Sequence, residues 1–381
     1  MVRSRFSTMK FELARFLALL ALLIACSIPQ CTIGHGRAYG LARSDESVRV
    51  SVMGLFHPRE FIVRSSAGHA LILQAGEQRV VLEDSAVASA TVRIDGSDLV
   101  VSSGRLELRS IKVTVAGRGN EAEDFILEIP SKIKRQYHGT LEITPSSGNL
   151  VSVVTLDLET AVKSVIAAES APGTPLEALK AHAISARSYF VAGRGRHRNF
   201  DFCDTTHCQF LRDAPAAGSR VAVAAVATRG LVLVYQSRGF APMYTRSCSG
   251  RTRTPAQVGL PGAAYPYFSV DCEYCRRHPF RWTSFIPVHQ AESLRASNET
   301  SRLTVDHRLG WSAVPSNDFS FTKDGDRILL TGVGNGHGVG LCQAGARAMA
   351  KSGANFRDIL EHYYPNTNIA KHRLEYAIFD H

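Results

Sequence analysis

The apolar residues of this chain change their spacing at Asp157. From about residue 47 up to that point, short segments such as 48–52 and 126–129 alternate apolar and polar side chains, as half-buried β-strands do. Beyond Asp157, the apolar residues of segment 158–166 recur at the spacing of an amphipathic helix. The sequence therefore predicts an α+β fold in which a β-rich part precedes a mixed part.

This change of pattern predicts an N-terminal antiparallel β lobe over residues 45–136 and a mixed α/β domain over residues 137–381. Within the second part, a helix is expected to begin after Thr174 and to end before Gly193. Thr174 is a good N-cap residue, and Glu177 stands where it would complete a capping box. We therefore expect these two side chains to hold the start of that helix.

The N-terminus has the pattern of a secretory signal, because basic residues precede a short apolar stretch over residues 16–25. That stretch ends in Leu-Ile-Ala-Cys, like a bacterial lipobox, and Cys26 would then be lipidated. Cleavage nearby without lipidation and a buried N-terminal helix are the alternatives. We predict a signal peptide over residues 1–26, a polar linker over residues 27–44, and a location in the cell envelope, either periplasmic or lipid-anchored.

The balance of charge favours an acidic partner or a plainly basic surface. Lysine and arginine number 44 against 34 aspartate and glutamate, which gives a net charge of +10. No basic run with interleaved aromatic residues is found, so nucleic acid is not expected. Outside the N-terminus there is no apolar run near the roughly 20 residues that a membrane span needs. Contact with a membrane is therefore expected only through the N-terminal signal or lipid anchor.

Glu169 is the first candidate for chemistry. It lies on the apolar stripe of its predicted helix and close to the C-terminal end. Loss of hydration and the negative end of the helix dipole both favour the protonated carboxyl, which suits a general acid. The alternative is an ordinary glutamate at a helix end that faces water.

Two groups of nitrogen and sulfur donors are candidate metal sites. His197, Cys203, His207 and Cys208 lie within twelve residues, and they fit a tetrahedral zinc site, a Cys203–Cys208 disulfide or unlinked core residues. The second group consists of Cys248, Cys272, Cys275 and Cys342. It fits a four-cysteine metal site or two disulfides, and the pattern does not decide between them.

A glycine-rich loop over residues 332–340 carries His337. Glycine at alternate positions lets the backbone approach a ligand closely. The loop lacks the Gly-Lys-Ser/Thr ending of a phosphate-binding loop. His337 is therefore expected to contact substrate or to be held structurally within the loop.

Six stretches, in order over residues 137–365, resemble the stage II sporulation protein D family (SpoIID), which includes the LytB amidase enhancers. They are VIAAE (165–169), PLEALKA (175–181), ARSY (186–189), CDTTHCQ (203–209), ATRG (227–230) and GHGVGLCQ (336–343). The chain departs from the family pattern after Glu169, where Ser-Ala-Pro replaces the usual Met-Pro, and at Ala344, where an aromatic residue is common. These departures affect the loop beside the acid and one substrate-facing contact.

The resemblance implies a SpoIID-like catalytic domain over residues 137–381. It implies a lytic transglycosylase that cleaves the MurNAc–GlcNAc link of glycan strands without stem peptides and leaves 1,6-anhydro ends. Glu169 matches the catalytic glutamate of the family. The first donor group matches a zinc site reported in some members, and four protein ligands would make that zinc structural.

We assign substrate contacts to four further residues of the matching stretches: Arg187, Tyr189, His337 and Gln343. The expected partner is the peptidoglycan glycan strand, with a cell-wall amidase as a second candidate. Two alternatives stay open at this point. One is a non-catalytic wall module that binds glycan and stimulates an amidase. The other is a zinc hydrolase that uses His197, His207 and a cysteine.

Overall fold

The computed structural model describes residues 47–83, 89–205, 207–213 and 215–372. The predicted signal peptide, the linker and Cys26 lie outside these residues. Within the described ranges, no helix is both long enough and apolar enough to cross a bilayer.

Twelve strands form one large sheet. They are β1 (Ser47–Val52), β2 (Glu60–Ser65), β3 (Leu71–Ala75), β4 (Gln78–Leu82), β5 (Ser89–Asp95), β6 (Asp98–Ser103), β7 (Leu106–Ser110), β8 (Val113–Ala116), β9 (Glu123–Ile129), β10 (Ile133–Ser146), β11 (Asn149–Asp157) and β12 (Phe202–Cys203).

The main path through this sheet runs β12-β1-β11-β10-β9-β2-β5-β6-β7. Strand β8 pairs with both β10 and β3, and β3 pairs in turn with β4. The pairs are antiparallel except for β1 and β12, which run parallel. Alternate residues of these strands are buried, as the period-two pattern predicts.

Strand β10 crosses the predicted boundary between residues 136 and 137. Its first half pairs with β9, and its second half pairs with β11 and β8. Gly139 lies at the change of partner with φ of 151°, and a Cβ there would collide with the backbone oxygen of Thr155. The sheet is therefore continuous across the boundary, and the structure does not confirm a separate β lobe. What it does bear out is a mixed α+β protein with many antiparallel strands.

The remaining strands form three small sheets. The sheet β14-β13-β20 contains Arg238–Gly239, Leu231–Tyr235 and Asn368–Lys371. The parallel pair of β15 and β19 contains Tyr244–Thr245 and Leu341–Cys342. The sheet β16-β18-β17 contains Arg281–Pro287, Arg327–Val333 and Phe319–Asp324. No sequence pattern predicted this last sheet.

Eight α-helices lie in the described part of the chain. They are α1 (Leu158–Glu169), α2 (Leu176–Ala192), α3 (Arg220–Ala227), α4 (Glu273–Arg277), α5 (Val288–Ala291), α6 (Glu299–Leu309), α7 (Gln343–Lys351) and α8 (Phe356–Tyr363).

Helix α2 is the central helix, with α1, α3, α7, α8 and strand β13 against it. It begins and ends as predicted, but its start is not capped as predicted. The Thr174 hydroxyl donates to the carbonyl oxygen of Ala171 at 2.6 Å instead of accepting from the helix. Glu177 pairs with Lys180 and accepts a hydrogen bond from the backbone of Phe356. The capping-box prediction is therefore wrong, because Glu177 is used to attach α8 to α2.

Three apolar cores hold these elements together. The first joins the large sheet to α1 and part of α2. The second joins the rest of α2 to α7, α8 and the segments that carry the second cysteine group. The third fills the space beneath the sheet β16-β18-β17. Helix α2 contributes residues to both of the first two cores. It therefore fixes the position of one core relative to the other.

Candidate functional site

Helix α1 carries Glu169 as its last residue. The carboxylate of Asp157 accepts a hydrogen bond from the backbone of Thr160 at 3.0 Å and caps the start of the helix. The apolar stripe of α1 is buried in the first core. The chain becomes extended at Ser170, so the helix ends there. Glu169 therefore lies where the helix meets a loop, at the border of the core.

The carboxylate of Glu169 is held by two neighbours and is only 15% exposed. Its Oε1 accepts a hydrogen bond from the backbone N–H of Phe210 at 2.9 Å. Its Oε2 lies 3.6 Å from Nε2 of His182 on helix α2. The carboxyl is thus oriented and largely shielded from water, as a general acid requires.

His182 connects Glu169 to the other side of the site. Its Nδ1 lies 3.3 Å from the hydroxyl of Ser170, and its Nε2 lies 3.4 Å from Nε2 of Gln343. The imidazole ring also contacts the Tyr244 ring edge to face, with 4.7 Å between the centroids. His182 is buried, so these contacts fix its ring.

Tyr244 on strand β15 presents a buried hydroxyl that makes no hydrogen bond of ordinary geometry with a described residue. Burial raises the pKa of this phenol well above its usual value, and the neighbouring charge of Glu169 raises it further. The phenol is therefore neutral and close to the carboxylate. It is a buried polar group beside Glu169.

A cleft of about 1540 Å³ opens over these residues. Glu169 and Glu299 are the acidic residues among the described residues that line it. Glu299 accepts hydrogen bonds from Nε and Nη2 of Arg302 at 2.8 and 2.6 Å, and Asn317 donates to it at 3.0 Å. Arg302 also pairs with Asp306 at 2.6 Å, so this arginine binds both carboxylates. Glu169 is the acid of this cleft, among the described residues, that makes no ion pair with an arginine.

The cleft is also lined by arginine. Six arginines contribute to it against the two glutamates: Arg194, Arg196, Arg212, Arg246, Arg302 and Arg308. Such a lining attracts anionic ligands. The size and charge of the cleft suit a segment of an acidic polymer.

Three of the four residues predicted to contact substrate line this cleft: Tyr189, His337 and Gln343. Gln343 is the first residue of α7 and faces His182 across the site. Nδ1 of His337 accepts a hydrogen bond from the backbone of Val339 at 3.0 Å, so the neutral ring carries its proton on Nε2. Burial lowers the pKa of His337, which keeps this form at neutral pH.

Arg187 does not line the cleft, and its assignment as a substrate contact is corrected. Its side chain is 0% exposed and forms a two-pronged ion pair with Glu159, at 2.8 and 2.7 Å. It also donates to the backbone oxygens of Ala225 and Leu231. Arg187 therefore joins α2 to α1, α3 and β13 as a buried structural group.

The first donor group converges in space. The ligand atoms of His197, Cys203, His207 and Cys208 all lie within 4.8 Å of one another. Nε2 of His197 is 3.3 Å from Sγ of Cys208, and Nδ1 of His207 is 3.7 Å from Sγ of Cys203. A nitrogen and a sulfur bound to one tetrahedral zinc are separated by about 3.6 Å. The group fits zinc, and its two cysteines are not joined by a disulfide.

The second cysteine group also converges, although its members come from distant parts of the chain. The sulfur atoms of Cys248, Cys272, Cys275 and Cys342 lie within 4.8 Å of one another, and all four residues are buried.

Sequence reasoning missed His182, Tyr244 and the pairing of Glu299 with Arg302. His182 stands between two alanines of α2, and a histidine in such a setting is a signal of a buried polar contact. Tyr244 lies in a two-residue strand, which has no periodicity to read. Only the fold brings it to Glu169.

The fold and the cleft define a mixed α+β protein whose single available cleft acid, within the described residues, is held at the end of a helix. The model of the stage II sporulation protein family, SpoIID, matches residues 146–235. This segment contains α1, α2 and the first donor group.

Relatives extend the match to more of the chain. An uncharacterized protein of Brachyspira hyodysenteriae is 30% identical over 267 residues, which are 61% of this chain and 72% of the relative. Stage II sporulation protein D of Bacillus subtilis is 25% identical over 268 residues, 58% of this chain and 76% of that protein. The amidase enhancer of B. subtilis is 34% identical over 64 residues, 17% of this chain and 9% of the enhancer.

This chain belongs to the SpoIID family, which confirms the resemblance found in the sequence. Membership connects it with a cell-wall-related role.

Proposed function

We propose that this protein is a lytic transglycosylase that cleaves the MurNAc–GlcNAc link of peptidoglycan glycan strands without stem peptides. The observation that carries the proposal is that Glu169 is the one cleft acid, among the described residues, that makes no ion pair with an arginine. Glycosidases that use water commonly need two carboxyls. A lytic transglycosylase needs one, because a hydroxyl of the substrate replaces water.

In the proposed reaction, protonated Glu169 gives its proton to the bridging oxygen as the bond from that oxygen to C1 of MurNAc breaks. The carboxylate then takes the proton of the MurNAc 6-hydroxyl as O6 bonds to C1. The products are a free GlcNAc 4-hydroxyl and a 1,6-anhydro ring, and Glu169 is again protonated. Acid–base help of this kind contributes about 10²–10⁴ in rate.

The contacts of the carboxyl support both halves of this cycle. The Phe210 amide fixes Oε1, so Oε2 is the oxygen beside His182. Gln343 contacts the same ring nitrogen of His182 as Glu169 does, and it lines the cleft where a sugar would bind. Fixed orientation of the acid reduces the entropy lost in reaching the transition state.

We also propose that the first donor group holds a structural zinc. Phe210 follows Cys208 by two residues, so a metal that fixes His207 and Cys208 also fixes the amide that holds Glu169. When bound, zinc would act as a cross-link, because four protein ligands leave no position for water. The alternative of a zinc hydrolase therefore receives no support from this donor set.

The substrate places the proposed activity outside the cytoplasm. The signal-like N-terminus agrees with that location, and Cys26 would attach the chain to a membrane if it is lipidated.

Product analysis of denuded glycan strands tests the proposal. The native protein should release fragments with 1,6-anhydro ends, detected by mass spectrometry. Glu169→Gln should lower this rate by about 10²–10⁴-fold because an amide cannot donate the proton. Glu361→Gln, at an exposed position on α8, is the matched control and should keep native activity. Equal activity of Glu169→Gln and the native protein would overturn the proposed role.

A non-catalytic wall module is the second candidate, favoured by the match to a protein named amidase enhancer. It predicts that the native protein binds glycan without forming product and raises the rate of an added cell-wall amidase. Glu169→Gln would then stimulate the amidase as well as the native protein does. Release of anhydro ends by the native protein alone decides against this candidate.

A further inference from the structure

Four buried sulfur atoms meet in the second core. Cys248 follows strand β15, Cys272 and Cys275 lie at the start and in the body of α4, and Cys342 ends strand β19. All their sulfur atoms lie within 4.8 Å of one another, and the Cys275 and Cys342 sulfurs are 3.5 Å apart. Two sulfurs bound to one tetrahedral zinc are separated by about 3.8 Å. The arrangement is therefore that of a single four-sulfur site.

Hydrogen-bond donors surround these sulfurs. Sγ of Cys342 accepts from the backbone N–H groups of Cys248 and Gly345, at 3.3 and 3.5 Å. Cys275 lies 3.5 Å from the Ser247 hydroxyl, and Cys272 lies 3.5 Å from the Tyr363 hydroxyl. Donors of this kind stabilise thiolates and orient metal ligands.

Helix α7 adds to this stabilisation because it begins at the site. Cys342 is its N-cap residue, so the positive end of the helix dipole points at a sulfur.

Gly345 shows how tightly the helix is fitted against the sulfurs. A Cβ at this position would lie 2.6 Å from Sγ of Cys272 and would also collide with the Tyr363 hydroxyl. Glycine is a poor residue for the interior of a helix. Its presence here is explained by the close approach of α7 to the sulfur cluster.

We infer that Cys248, Cys272, Cys275 and Cys342 bind a second structural zinc ion as four thiolates. Binding would release four thiol protons and leave a closed coordination shell. Two disulfides are the competing state in an oxidising compartment. The backbone donors on Cys342 and the helix terminus favour a negatively charged sulfur, which a disulfide does not provide.

The site would fix one wall of the cleft. Cys248 is four residues from Tyr244, and Cys342 is adjacent to Gln343 and five residues from His337. The backbone bridge between Ser247 and Asn335 ties the same segments together, at 3.0 and 2.7 Å. Loss of this zinc should therefore loosen the wall that faces Glu169. The first zinc would instead fix Phe210, whose amide holds Glu169.

Metal analysis of the native full-length protein tests the inference without any substitution. Purified with a thiol reductant, it should contain about two zinc ions per chain. The four cysteines should resist alkylation until a chelator is added. Less than one zinc ion per chain, or recovery of these cysteines in disulfide-linked peptides from protein purified without reductant, would overturn the second site.

Paired variants assign the two ions. Cys203→Ser with Cys208→Ser should retain about one zinc, and its cobalt-loaded form should absorb as a four-thiolate complex. Cys272→Ser with Cys275→Ser should also retain about one, now with the weaker sulfur absorption of two thiolates. A cobalt spectrum of the first variant without four-thiolate character contradicts the inference. This outcome can be read even if the second variant does not fold. These readouts do not depend on transglycosylase activity, so they can fail while the proposed function holds.

Discussion

Arg187 lies in one of the stretches that resemble the family, yet its side chain has a structural role. It is two residues from Tyr189, which lines the cleft, yet its guanidinium is buried against Glu159 and backbone oxygens. Sequence position alone favoured a substrate contact, because an arginine beside an acidic polymer is a plausible ligand. The orientation of its side chain depends on the packing of α2 against α1, which the motif does not reveal.

Replacing Arg187 tests this structural role. Arg187→Met leaves Glu159 without its partner in a largely buried position and should lower the free energy of unfolding by about 3–5 kcal/mol. Urea unfolding measures this change. Arg229→Met, in an exposed position of the neighbouring motif, should change stability by less than about 0.5 kcal/mol. Weaker glycan binding with unchanged stability would instead return Arg187 to the substrate site.

The helices were more predictable than the sheet. Apolar spacing and stop signals gave the positions of α1 and α2. Helix α1 buries one face, whereas α2 is buried on all sides over residues 181–190. The sheet was less predictable, since strand alternation identifies strands but not their partners. Pairing of β1 with β11, about a hundred residues later, makes the N-terminal strands part of the same sheet as the strand that leads into α1. The predicted boundary at 136 falls inside β10, in the half of that strand that pairs with β9.

Gly139 is the residue that lets β10 change partners, and its replacement should be costly. Gly139→Ala puts a Cβ against the Thr155 backbone, which cannot move without breaking the pairing of β10 with β11. We expect a loss of several kcal/mol in the free energy of unfolding, measured with urea. Gly96→Ala has open space and only a positive φ of 62°, so it should cost about 1–2 kcal/mol. Equal costs would mean that the close approach at Thr155 is unimportant.

At the scale of the whole molecule, the site is assembled from segments that no local pattern connects. The first donor group was predictable because its four members lie within twelve residues. The second spans residues 248 to 342, and only the three-dimensional packing of the second core brings its sulfurs together. The motifs identified Glu169. His182 and Tyr244 are recognised as site residues only in the folded structure, where α2 and β15 lie beside Glu169.

The charge of the whole molecule leads to a last prediction. The net charge of +10 and the arginine-lined cleft should attract strands in which removal of stem peptides has exposed one lactyl carboxylate per disaccharide. Binding of denuded glycan to inactive Glu169→Gln protein should weaken by roughly tenfold between low and high salt, because several exposed ion pairs are screened. Glycan whose carboxylates have been converted to methylamides is the control. It should bind more weakly at low salt and respond little to added salt. Equal salt dependence for the two glycans would show that the arginines do not bind the carboxylates. Any preference for strands without stem peptides would then have to come from the shape of the cleft.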